Sequence, residues 1–168
     1  ATNNGDGTWS LADNALSALA EGTFDVVVLA EDAVGNQGSD GTSGELVVDL
    51  TSPLVAVNSL STNDSRPALS GTIDDASADV SLTVDGQVRS AVNNGDGTWT
   101  LADDSLSTLS DGVYDVSVTA TDAAGNVGSD STSDELVIDA TAPVVTVDSL
   151  TTEDPSPALS GTVDDPAA

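Results

Sequence analysis

The stretch "GVYDVSVTATD", residues 112–122, decides the fold. Tyr114, Val116, Val118 and Ala120 alternate with Asp115, Ser117, Thr119 and Thr121. That period of two places the apolar side chains on one face of a half-buried β-strand. The same rhythm stands 90 residues earlier in Phe24, Val26, Val28 and Ala30. Aligning residues 1–78 with residues 91–168 needs no gap and makes 49 of 78 positions identical. The chain is therefore a tandem array with a period of 90 residues, the size of a small domain rather than a solenoid turn.

The turns around that strand complete one unit. "VSLTVDGQVRS" reads as two strands about Asp85-Gly86, a type I′ hairpin signal. "PLVAVNSL", "PALSGTID", "TWTLA" and "ELVID" are short strands bounded by Pro, Gly, Asn or Asp. Within one period this predicts seven strands, beginning near residues 53, 67, 80, 88, 98, 113 and 135. "DDSLSTLSDG", residues 103–112, is expected to hold one helical turn capped by Ser or Asp. Seven short strands in about 90 residues predict an all-β fold, an antiparallel β-sandwich of immunoglobulin-like type. With no Cys to bridge the sheets, the core is expected to rest on Leu82, Val84, Trp99, Leu101, Tyr114, Val116 and Val118.

"VDLTSP" at 48–53 and "IDATAP" at 138–143 mark the unit boundaries. Each ends an apolar strand and puts Pro at the head of the next, where a missing N–H costs least. Residues 51–140 are then a complete unit, 1–50 the C-terminal part of a preceding one, and 141–168 the N-terminal part of a following one. Neither partial unit closes a core alone. The expectation is that each is completed by further chain beyond this segment, or by the tail of one molecule packing on the head of the next.

Composition removes several function classes. The chain has 29 acids against Arg66 and Arg89, with neither His nor Cys, for a net charge of −27. Nucleic acid and anionic membrane surfaces both require the Lys and Arg that are missing here. Without His or Cys there is no imidazole base and no thiolate metal site. No apolar run reaches the ~18 residues that span a bilayer. Dispersed acids among 38% hydrophobic residues describe a folded chain rather than an acidic disordered one. The two arginines are expected to pair with local Asp.

Sandwich topology sends "DDASAD" (74–79), "NNGDGT" (93–98) and "TDAAGN" (121–126) to the end that meets the preceding unit, where linker Asp49 enters. Asp49, Asp74, Asp75, Asp122 and Asn126 then converge, with Asp79 and Asp96 nearby. Asp139, Asp164 and Asp165 repeat the set at the next junction. Carboxylates so gathered repel unless a cation lies among them, and Ca²⁺ accepts 6–8 such oxygens. Asp and Asn are also ordinary turn residues, which explains the loops without any ligand.

"DGTWTLADDSLSTLSDGVYDVSVTATDAAGN" followed by "VIDATAPVVTV" resembles the immunoglobulin-like repeats of giant secreted bacterial adhesins of the RTX, biofilm-forming kind. The resemblance covers the whole chain. It implies a non-catalytic cell-surface extender, secreted and stiffened by calcium between repeats, that holds a distal adhesive region away from the cell. By position it implies Asp49, Asp139 and Asp122 as junction ligands. The alternative is a binding module for carbohydrate or another surface, although four aromatics in 168 residues leave little for sugar stacking.

Overall fold

The computed structural model describes residues 1–130 and 132–165. Residues before the first linker form β1 (Thr2–Asn3), β2 (Trp9–Ser10), β3 (Gly22–Phe24), β4 (Leu29–Glu31), β5 (Gln37–Ser39) and β6 (Leu46–Val48). Between the two linkers lie β7 (Val55–Val57), β8 (Leu60–Thr62), β9 (Leu69–Ile73), β10 (Asp79–Val84) and β11 (Gln87–Asn93). The chain continues with β12 (Thr98–Leu101), β13 (Gly112–Tyr114), β14 (Val116–Thr121), β15 (Val127–Asp130) and β16 (Leu136–Ile138). β17 (Val145–Val147) and β18 (Gly161–Val163) pair after the second linker.

Residues 55–138 form a β-sandwich, antiparallel except where β16 pairs with β8. Strands follow the order β15-β14-β10-β11-β12-β9-β7, and β13-β16-β8 form a smaller sheet. β11 sits in the middle of the larger sheet, pairing with β10 (Val80↔Ala91) and, at its end, with β12 (Asn93↔Trp99). The expected register holds. Val116 and Val118 are fully buried, and Ser117 and Thr119 face out. Leu82, Val84, Trp99 and Leu101 join them in one core, closed at the bottom by Leu136 and Ile138. Tyr114 packs against that core only half-buried, and its hydroxyl donates to the Ser110 carbonyl at 2.8 Å. Asp85 and Gly86 both have positive φ, 48° and 72°, as a type I′ turn requires.

Two expectations are corrected. More strands form than the seven expected: besides β16 near residue 135, β8 forms at 60–62, and β15 pairs with β14 directly across the 122–126 turn (Thr121↔Val127). Its "VGSD" sequence carries the small residues of a turn, and Gly128 is needed because a Cβ there would lie 1.7 Å from the Pro53 carbonyl oxygen. The segment 103–112 also contains no helical turn. Asp104 takes a left-handed φ of 62°, and Arg66 and Arg89 occupy carbonyls that a helix would use internally. Leu106 and Leu109 are buried, so their i, i+3 spacing reflects a loop pressed on the core.

Arg66 pairs with Asp104 at 3.1 Å as expected and donates Nε to the Leu106 carbonyl at 2.8 Å. Arg89 instead gives its Nε to the Ser105 carbonyl at 2.7 Å. Glu135 is a buried acid, and its Oε2 accepts the Val116 N–H at 3.0 Å. Burial pushes its carboxyl up, but the Thr132 hydroxyl and that N–H outweigh it and hold the group below the usual Glu range. Among the described residues no helix is long and apolar enough to cross a membrane.

Candidate metal-binding junction

At the first linker a cleft of about 590 Å³ opens between the two units. Asp49, Asp74, Asp75 and Asp122 line it, so four of the five residues expected to converge share one cavity. Asn126, the fifth, reaches the linker directly by donating its Nδ2 to the Asp49 carbonyl at 3.0 Å. Asp79 and Asp96 lie outside the lining.

Local chain chemistry sets each side chain. Asp122 opens the 122–126 turn. Its Oδ1 accepts the N–H groups of Ala124 (2.9 Å) and Asn126 (2.8 Å), and its Oδ2 accepts the Asn126 amide at 2.9 Å. The Asn126 amide leads these contacts in holding the Asp122 carboxyl below its ordinary range. Asp75 is lowered by the Ser77 N–H and hydroxyl, against the raising effect of burial and of the Asp122 charge. Asp74 fastens the first strand, with Oδ1 accepting the Leu54 N–H at 2.7 Å. Asp49 Oδ1 accepts the Thr51 N–H at 3.0 Å. The 93–98 loop joins this end through Asn93 Nδ2, which donates to the carbonyls of Asp75 (2.8 Å) and Ala78 (2.9 Å).

One participant was missed by sequence reasoning. Glu21 of the preceding unit lines the same cleft, and its Oε2 accepts the Thr51 hydroxyl at 2.7 Å. At the second linker its counterpart Asp111 accepts the Ala140 N–H at 2.8 Å and the Thr141 hydroxyl. The one signal available was an acid before Gly at both positions, Glu21-Gly22 and Asp111-Gly112, which reads as a simple turn.

The second junction repeats the backbone contacts of the first. Asp164 Oδ1 accepts the Val144 N–H at 2.8 Å, and Asp139 Oδ1 accepts the Thr141 N–H at 3.2 Å. Asp165 follows Asp164 as Asp75 follows Asp74. Among the described residues, no three acidic side chains stand close enough together to hold a metal ion. The donor chemistry nevertheless suits a hard cation, because carboxylates and linker carbonyls are the oxygen ligands Ca²⁺ takes.

Residues 56–140 match a bacterial Ig-like domain family. The chain belongs to the bacterial Ig-like domain family. A second bacterial Ig-like domain family (group 3) matches residues 8–94, a frame that crosses the first linker. Two solved structures are similar to this Ig-like chain. One is a 1.5-MDa bacterial ice-binding adhesin studied for its retention at the host cell surface: 25% identity over 76% of this chain and 45% of that one, TM-score 0.35. The other is a Ca²⁺-stabilised adhesin that helps an Antarctic bacterium reach out and bind ice: 28% identity, 76% and 35% coverage, TM-score 0.35. The Ig-like chain spans less than half of either structure. No curated protein matches it.

Proposed function

We propose that this chain is an extender segment of a large secreted bacterial adhesin: a rod of Ig-like repeats that projects a distal adhesive region from the cell surface. Calcium at each junction stiffens the rod. The observation that carries the reading is the first cleft, where carboxylates of the linker (Asp49), the following unit (Asp74, Asp75, Asp122) and the preceding unit (Glu21) line one cavity. A cation held there ties three pieces of chain whose mutual charge otherwise drives them apart. Asp49, Asp74, Asp75 and Asp122, with Asn126 fixing the linker, are its proposed site. Asp139, Asp164 and Asp165 are the counterparts at the second junction. When bound, the ion supplies positive charge and geometric constraint, with no chemical step.

A binding module is less well supported. Trp99 is wholly buried, with its indole N–H spent on the Ala56 carbonyl, so it offers no stacking platform. A ligand that binds only the folded state stabilises it by about 2.7 kcal/mol at a hundredfold excess over Kd. Calorimetric melting in millimolar calcium is therefore expected several degrees above melting in chelator, with Asp122→Ala and Asp49→Ala erasing most of the difference. Identical melts for the native chain would overturn the calcium, leaving the acidic loops as turns.

A further inference from the structure

Of the chain's asparagines, Asn4 and Asn94 alone precede a Gly. Both lie in the loop "NNGDGT", at 3–8 and 93–98, and its side-chain hydrogen bonds are the same in the two copies. Asn94 Nδ2 donates to the Thr98 hydroxyl at 2.8 Å, and Thr98 Oγ1 in turn donates to Asp96 Oδ1 at 2.6 Å. Thr100 Oγ1 donates to Asn94 Oδ1 at 3.4 Å, and Asn93 Oδ1 accepts the Gly95 N–H at 3.1 Å. In the first copy Asn4 Nδ2 donates to Thr8 at 2.9 Å, Ser10 donates to Asn4 Oδ1 at 3.1 Å, and Asn3 Oδ1 accepts the Gly5 N–H at 2.9 Å. Asn94 and Gly95 are exposed, and nothing lies within 4 Å of where a Cβ on Gly95 would stand.

We propose that Asn94, with Asn4 as its counterpart, is a self-modification site at which the chain converts its own asparagine to aspartate or isoaspartate. The Gly95 nitrogen loses its proton to water and attacks Asn94 Cγ. The new N–C bond closes a succinimide ring; the Cγ–Nδ2 bond breaks, and its electron pair leaves with Nδ2, which takes up a proton and departs as ammonia. Water then opens the ring. Breaking the bond from Cγ to nitrogen gives aspartate, and breaking the bond from the backbone carbonyl carbon gives isoaspartate. Each atom that changes is held by a neighbour. Asn93 Oδ1 draws on the proton that must leave Gly95. The Thr100 hydroxyl faces the oxygen that gains negative charge. Thr98, locked as an acceptor by Asp96, orients the departing amine. Gly95 carries no side chain to crowd its nitrogen. Each conversion adds a negative charge to a loop that Asn93 ties to the Asp75 carbonyl at the junction. The inference rests neither on calcium nor on the adhesin reading.

The full chain is held at mildly alkaline pH and sampled with time by peptide mass mapping, with chromatography separating aspartyl from isoaspartyl products. Asn94 and Asn4 are expected to convert before Asn58 or Asn126, which precede Ser and Val. Thr100→Val, at an exposed position, is expected to slow Asn94 about fivefold, the rate equivalent of one neutral hydrogen bond, and to leave Asn4 at its native rate. In urea the native and Thr100→Val chains should convert Asn94 equally. Conversion of Asn94 no faster than Asn58, a rate unmoved by Thr100→Val, or a difference that persists in urea would overturn the proposal.

Discussion

The indole N–H of Trp99 donates to the carbonyl oxygen of Ala56 at 3.0 Å, tying β12 to β7 over the backbone of Gly71. Gly71 leaves room for that crossing. A Cβ there would lie 1.9 Å from the Ala56 oxygen and 2.5 Å from the indole nitrogen. Gly71→Ala is expected to destabilise the unit by about 3 kcal/mol, the upper range for overpacking a core. Urea unfolding of native and variant chains measures it.

Gly128 makes a matched test with Gly38, its counterpart 90 residues earlier. Gly128 faces the Pro53 carbonyl, whereas nothing lies within 4 Å of a Cβ at Gly38. Gly128→Ala is therefore expected to lower Tm by about 10 °C, from a cost of roughly 2 kcal/mol in a unit of this size. Gly38→Ala should leave Tm unchanged.

Both arginines brace the same loop, with Arg66 on the Leu106 carbonyl and Arg89 on the Ser105 carbonyl. Each charged donor to a backbone carbonyl contributes about 1.5 kcal/mol. Arg89→Met should release residues 102–110, seen as faster amide exchange there and little change in the 122–126 turn.

Asp111 couples the complete unit to the second linker, and its carboxyl is held below the ordinary range by the Thr141 hydroxyl and the Ala140 N–H. A depressed folded-state pKa means the contact contributes fully above the unfolded value of about 3.9 and is lost as pH falls through the lower folded-state value. Small-angle scattering should therefore show the linker loosening progressively as pH falls below about 4, and Asp111→Asn should loosen it at neutral pH.

Asn126→Ala separates what the protein does at the junction from what a cation does. Removing the Nδ2 donor to the Asp49 carbonyl should speed amide exchange over residues 49–54 in chelator as well as in calcium. An effect confined to calcium would make Asn126 a ligand and not a strut.

Strand positions and register were legible because alternation is local: Val116 and Val118 can only point together. The hairpin at Asp85-Gly86 was legible for the same reason. The extra strand β15 was not, because Gly128 is turn-like until Pro53 is seen pressing on it. Leu106 and Leu109 misled because a loop packed on a core buries the same i, i+3 pair that a helix buries. At the junction, Asp49, Asp74, Asp75 and Asp122 could be gathered from loop order alone. Glu21 could not, since it enters from a different unit.

β8 and β16 run parallel, Leu60↔Leu136 to Ile138↔Thr62, fastened by Leu60 N–H to the Glu135 carbonyl (2.7 Å) and Asp139 N–H to the Thr62 carbonyl (3.0 Å). β8 follows shortly after the incoming linker, and β16 leads straight into the outgoing one. When the array is stretched, the two strands are drawn past each other along their length. Their bonds then bear the load together and do not open one at a time from an end, so tension meets resistance in shear at the seam nearest both linkers.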